Sequence, residues 1–112
     1  MKLHLITCSE QPVDFLPELD EFLISEVSDI DVEIHYVAGA LDLPLQAKIS
    51  LQTADIAFVT FAYEAEDTRI LMILEKLVQI ELETGKKIIK ALHESSFNEI
   101  LTEEDLEKEK QT

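Results

Sequence analysis

Asp42 stands in a tight turn, Gly39-Ala40-Leu41-Asp42, between a β-branched run and the start of a helical pattern, with Pro44 two residues on. A carboxylate at that place can accept hydrogen bonds from the hydroxyls of a ligand. It can also cap the following helix through its free N–H groups, with Pro44 just inside; one group can do both. Glu64, Glu66 and Asp67 form a second acidic group. They are hard oxygen donors of the kind that suits magnesium, and acids also favour a helix N-terminus. Arg69, the only arginine, sits beside them. Its guanidinium could contact an anionic or carbonyl group of a ligand, or pair with Glu66 or with an acid of a neighbouring chain. His93 is a candidate general acid or base, or a surface histidine. Cys8 is a strand-end thiol, either nucleophilic or simply buried as a small apolar group. His35 alternates with Ile34 and reads as structural. No His/Cys metal cluster is evident. Gly39 and Gly85 are the only glycines, which excludes the Walker and dinucleotide fingerprints.

These residues need elements to position them. Residues 2–7 (KLHLIT) are apolar and β-branched, a buried strand. Residues 13–27 carry Phe15, Leu19, Phe22, Leu23 and Val27 at helical spacing. Pro12 and Pro17 delay the regular helix to about Leu16. Residues 31–38 (DVEIHYVA) alternate at period two, a second strand. Residues 44–51 are a short helix. Residues 55–62 (DIAFVTFA) are continuously apolar, as in a central parallel strand. Residues 64–84 read as a long helix with Gly85 as its C-cap, residues 87–92 as a fourth strand, and residues 96–110 as a final charged helix. This alternation predicts one α/β domain over residues 1–112, three layers around a four-stranded, mostly parallel sheet. Ligands of such sheets bind outside the carboxyl ends of the strands. The candidate ligand residues fall there: Ser9 after the first strand, Gly39, Ala40, Leu41 and Asp42 after the second, Tyr63, Glu64, Asp67 and Thr68 after the third, and His93 after the fourth. Gly39 is expected to hold a conformation that a side chain would obstruct.

Composition narrows the function classes. At 112 residues and 46% hydrophobic content the chain can bury a real core. Its N-terminal apolar run is short, so it reads as neither a signal peptide nor a membrane span. One cysteine allows no internal disulfide, and the chain reads as cytoplasmic. With 24 acids against 9 bases the formal charge is −15, which argues against nucleic acid and anionic membranes as partners. The densest acids, Glu103, Glu104, Asp105, Glu107 and Glu109, read as a solvated helical face.

The opening turn also carries a family likeness. Val37, Gly39, Ala40, Asp42, Leu43, Pro44, Ala47 and Lys48 match in order a motif at the end of the second strand in the lumazine synthase superfamily. The Asp-Leu-Pro form resembles the archaeal type of riboflavin synthase more than the lumazine synthases. LETGKKII (residues 82–89), the pair His93-Glu94 and the pair Val13-Asp14 are similar to further stretches of those enzymes. The resemblance runs from about Leu3 to Leu106. It implies a ribityl-lumazine or flavin ligand held between subunits, with Asp42 on the ribityl hydroxyls, and a pentamer or larger shell. Lumazine synthases use a histidine in a Thr-x-His-Phe context after the third strand; the corresponding loop here, YEAEDTRI, has none. Family members stack an aromatic of the first strand-end loop on the pyrimidine ring, and CSEQP supplies none. Riboflavin synthase chemistry joins two lumazines and relies more on placement than on one dedicated base.

The long helix points to assembly independently. Ile70 to Leu74, then Leu77, Val78, Ile80 and Leu82, cover more than one helical stripe. A helix apolar on several sides is buried on several sides, which predicts a homo-oligomer, most simply a closed symmetric one. Two functions therefore stand open: a flavin-pathway synthase or its close relative, and a non-catalytic relative that serves as an oligomeric interaction module.

Overall fold

A computed structural model describes residues 1–9 and 14–94. The expected C-terminal helix and the position of Val13 lie outside the described residues. The elements follow one another as β1 (Lys2–Cys8), α1 (Leu16–Glu26), β2 (Asp31–Val37), a 3₁₀ turn (Ala40–Asp42), α2 (Leu43–Ser50), β3 (Ile56–Tyr63), α3 (Arg69–Thr84) and β4 (Lys87–Glu94). The four strands form one sheet in the order β2-β1-β3-β4, and every pairing is parallel. Helices cover both faces, so the domain is a three-layer α/β fold. No helix among the described residues is long and apolar enough to cross a membrane.

Period-two alternation sorts each strand's side chains between the layers. Leu3 and Leu5 of β1 face α1 and pack with Leu16. Ile6 and Cys8 face the other way and pack with Leu43 and Ala47 of α2 and Ile73, Leu77 and Ile80 of α3. Both faces of β1 are therefore dry from Leu3 on, and over Leu3–Cys8 the strand is apolar apart from His4 and Thr7. β2 is an edge strand with exposed Asp31 and Glu33, charges that discourage pairing with another sheet edge.

Side chains fix the joints. The Leu16 N–H donates to Asp14 Oδ1 at 3.0 Å, so α1 is capped from just outside its first turn, and Pro17 falls where no intrahelical donor is needed. The Tyr36 hydroxyl donates to the other oxygen of Asp14, and this bond pushes the phenol pKa up. At the far end of α3, Gly85 turns into the left-handed region at φ 69° and its N–H reaches Glu81 O at 2.9 Å, an αL C-cap. Glu81 then ties α3 to β4. Its carboxylate accepts the Ile88 N–H at 2.9 Å and the Lys90 ammonium at 2.5 Å. Burial alone would raise this carboxyl, but those two donors outweigh it and hold its pKa below the ordinary value. Lys86 closes α2 by donating to Leu51 O at 2.6 Å and Ala54 O at 2.9 Å.

Several boundaries differ from those the sequence predicts. α3 begins at Arg69, not at residue 64: Glu64 to Asp67 form a turn closed by Asp67 N–H on Glu64 O at 2.9 Å. β3 and β4 extend to Tyr63 and Glu94 because they pair with each other to that point. Gly39 is extended, at φ −137° and ψ 163°, a conformation open to any residue, and a Cβ there would meet only Asp42 Oδ2 at 3.7 Å. The conformational need for glycine lies at Gly85 instead. Alanine at the two positions should therefore act with opposite signs. Gly39→Ala is expected to stabilise by about 0.4–1 kcal/mol through the unfolded chain. Gly85→Ala is expected to cost roughly 1–2 kcal/mol, the penalty of a left-handed L-residue. Urea midpoints of the two variants check both, and a destabilised Gly39→Ala would contradict the geometry of the turn.

Candidate functional site

All four strands run the same way, so their carboxyl ends lie along one edge of the sheet. From β1 the chain goes to β2 on one side and later to β3 on the other. A crevice opens at such a reversal, between the β1 and β3 ends. Ser9 lies at one lip. Its N–H and its hydroxyl both donate to Val37 O, at 2.8 Å and 2.9 Å, which binds the β1 end to the β2 end. The 3₁₀ turn packs against both β1 and α3.

A cavity of about 280 Å³ occupies the β3 end, lined by Phe61, Ala62, Tyr63, Glu64, Glu66, Asp67 and Arg69. Of the expected ligand residues it gathers Tyr63, Glu64 and Asp67. Thr68 is the N-cap residue of α3 and makes no side-chain cap bond. Ser9, Gly39, Leu41 and Asp42 belong to the neighbouring strand ends rather than to the cavity wall. Ala40 is buried in the core beneath α2 and α3, so its side chain is closed to a ligand. His93 is not brought to Tyr63: it pairs laterally with Ala62 and so faces the α1 layer, while Tyr63 packs on the α2/α3 core. Cys8 is buried among apolar neighbours, the inert alternative for that thiol.

Asp42 does cap, but not as expected. It occupies the N-cap position of α2 without a side-chain bond to that helix. Its Oδ2 instead accepts the Gly39 N–H at 3.2 Å. The carboxylate remains exposed and keeps acceptor capacity toward solvent.

Arg69 and Asp67 dominate the cavity mouth. Arg69 Nη2 donates to Asp67 Oδ2 at 2.7 Å, Nε to Oδ1 at 3.0 Å, and the Arg69 backbone N–H to Oδ1 at 3.0 Å. The guanidinium also lies 5.9 Å from the Phe61 ring centre, near the limit of a cation–π contact. The side-chain bond from Arg69 holds the Asp67 carboxyl below its ordinary range. Arg69 thus pairs with Asp67, where the sequence pointed to Glu66 or a neighbouring chain.

This pairing engages Asp67, one of the acidic trio weighed for magnesium, with Arg69. Among the described residues, the three side chains whose ligand atoms converge within 4.8 Å of one another are His4, Glu33 and His35. Sequence reading saw no histidine cluster and took His35 as structural. The signal was available but needed the register: Glu33 and His35 are two apart on a strand, so they share a face, and His4 is the lateral partner of Glu33.

No protein-family model matches the chain, and no curated protein matches it. The functional reading rests on the site itself and on the turn motif.

The Asp67–Arg69 pair gives a pH test. Its folded carboxyl pKa is depressed, so its stabilisation is full above the ordinary value near 3.8 and is lost as pH falls through the lower folded value. Asp67→Asn should therefore be less stable than the parent near neutrality, with the gap closing as pH drops below about 4. Urea unfolding across an acid series measures this; a gap independent of pH would mean that the ion pair contributes nothing.

Proposed function

We propose that this chain is a self-associating cytoplasmic protein that holds a ribityl-lumazine-type ligand, or a flavin, between subunits, as a divergent relative of the lumazine synthase and archaeal-type riboflavin synthase superfamily. One observation carries the reading. Among the described residues the β3-end cavity is lined by one continuous segment, from Phe61 at the end of β3 to Arg69 at the start of α3, and that helix presents an apolar stripe. Leu71, Leu74, Val78 and Leu82 recur at helical spacing and are 72%, 39%, 41% and 80% exposed. Ile73, Leu77 and Ile80 on the opposite side are buried. α3 therefore has two opposed apolar faces, one for the sheet and one for a partner. A second copy on the outer stripe would come up beside the cavity and add to its wall.

In this arrangement the half-buried Tyr63 offers aromatic surface to a ring system, while Phe61 beside it belongs to the core. Glu64 and Glu66 offer acceptors, and Asp42, in the turn after β2 two strands away, accepts from polyol hydroxyls. Riboflavin-synthase-type transfer is the reaction to assay, because it depends on placing two ligands rather than on one base. The second reading, an interaction module without ligand chemistry, is favoured by two features. Asp67 and Arg69 satisfy each other, and His93 faces the other layer.

Assembly and binding can be tested separately. Light scattering should show a homo-oligomer, a pentamer being favoured, that tightens as salt rises from low to physiological strength, because a charge of −15 per chain is then screened. Leu82→Glu should dissociate it while changing monomer stability by no more than about 0.5 kcal/mol, as for other exposed positions. A monomeric parent at micromolar concentration refutes the interface. Titration with ribityllumazine and riboflavin, read by ligand fluorescence, tests the site. Asp42→Ala should weaken binding by about 1.5–3 kcal/mol, the worth of a hydrogen bond to a charged group. An oligomer that binds neither ligand leaves the interaction-module reading.

A further inference from the structure

His4 is the third residue of the central strand, and its side chain is 4% exposed. Both of its ring nitrogens are buried without a hydrogen-bond partner. Nε2 lies 3.1 Å from Glu33 Oε2, close but not aligned as a hydrogen bond. The same carboxylate oxygen lies 3.3 Å from His35 Nε2. The two imidazoles are side by side, ring centres 4.7 Å apart and tilted by 31°. The arrangement comes from register: His4 and Glu33 are lateral partners on adjacent parallel strands, and His35 follows Glu33 on the same face.

Two nitrogens around one carboxylate oxygen at these spacings fit a metal ion. Zinc–nitrogen and zinc–carboxylate bonds are about 2.0–2.2 Å, so neighbouring ligand atoms of a tetrahedral site stand roughly 3.3 Å apart. The two nitrogen–oxygen spacings here, 3.1 Å and 3.3 Å, already have that value. A buried imidazole with two orphan nitrogens is otherwise an unexplained feature of a core strand.

We propose that His4, Glu33 and His35 bind a divalent transition-metal ion of the zinc, cobalt or nickel class. Two imidazoles and one carboxylate select that class over magnesium and calcium, which take oxygen donors. Glu33 and His35 are 50% and 32% exposed at their side chains, so the remaining coordination position opens to solvent and takes water or a small anion. The site clamps edge strand β2 to β1. It lies between β1 and β2, away from the cavity at the β3 carboxyl end, and does not depend on the ligand proposed there.

The test uses the full chain, stripped with a chelator and titrated with zinc chloride by calorimetry. Cobalt(II) absorption serves as a second readout, since a low-coordinate nitrogen–oxygen site gives a visible band that aqueous cobalt lacks. One saturable equivalent is expected, with a rise in Tm on adding zinc. His35→Gln and Glu33→Gln change partly exposed side chains, so both should fold. Each should weaken zinc binding at least about tenfold and abolish the zinc-dependent rise in Tm. Magnesium at the same concentration should give neither signal. Absence of a saturable equivalent, or a titration left unchanged by either variant, overturns the proposal; the latter would assign the zinc to scattered surface acids.

Discussion

Every residue of β1 from Leu3 to Cys8 is buried, and a strand dry on both faces accepts only certain surroundings. It must have a strand on each side, because its N–H and C=O groups have no water to turn to. It must also have a helix layer above and below. β2 and β3 meet the first need, and α1 on one side with α2 and α3 on the other meet the second. Because β2 follows β1 in the chain but β3 lies on the opposite flank, the reversal at the β1 end is a consequence of burying β1. The crevice that can hold a ligand is therefore not an added feature. It is where a centrally buried first strand leaves its neighbours diverging.

The same constraint explains what the sequence showed and what it hid. Continuous apolar runs in β1 and β3, alternation in β2 and the Gly85 stop after α3 were legible because each reports local burial or local backbone geometry. The outer stripe of α3 was legible as surplus hydrophobicity. The start of α3 was not, because Glu64 and Glu66 suit both a helix N-terminus and the turn that precedes Arg69. Gly39 was misleading for a related reason: glycine after a strand suggests a special conformation, yet its φ is extended. At the site, acids and the arginine could be named in advance, but their pairing could not. Asp67 rather than Glu66 takes Arg69 because the Asp67 carboxylate also accepts the Arg69 backbone N–H, a two-residue loop closure that only a short acid makes well. The side on which His93 points depends on where β4 pairs, and nothing local to His93 carries that information.

Other buried polar side chains of the core find partners within the protein. Thr7 faces α1 and donates to Thr60 O at 3.2 Å across to β3. Ser50 accepts from Gln46 Nε2 at 3.1 Å within α2. Both are satisfied by protein groups at no further cost. His4 is the departure. Leucine or valine at its position would suit a dry central strand, as Leu3, Leu5 and Ile6 do beside it. An orphaned buried donor or acceptor costs about 1–3 kcal/mol, a substantial share of the 5–15 kcal/mol that a domain retains. A polar residue retained in such a place needs something it does better than leucine. Glu33 and His35 stand within reach of His4 on edge strand β2, and an ion held among them would turn one of its two orphaned nitrogens into a ligand. The burial that makes His4 costly as a bare imidazole also fixes it among its neighbours, with Nε2 3.1 Å from the Glu33 carboxylate.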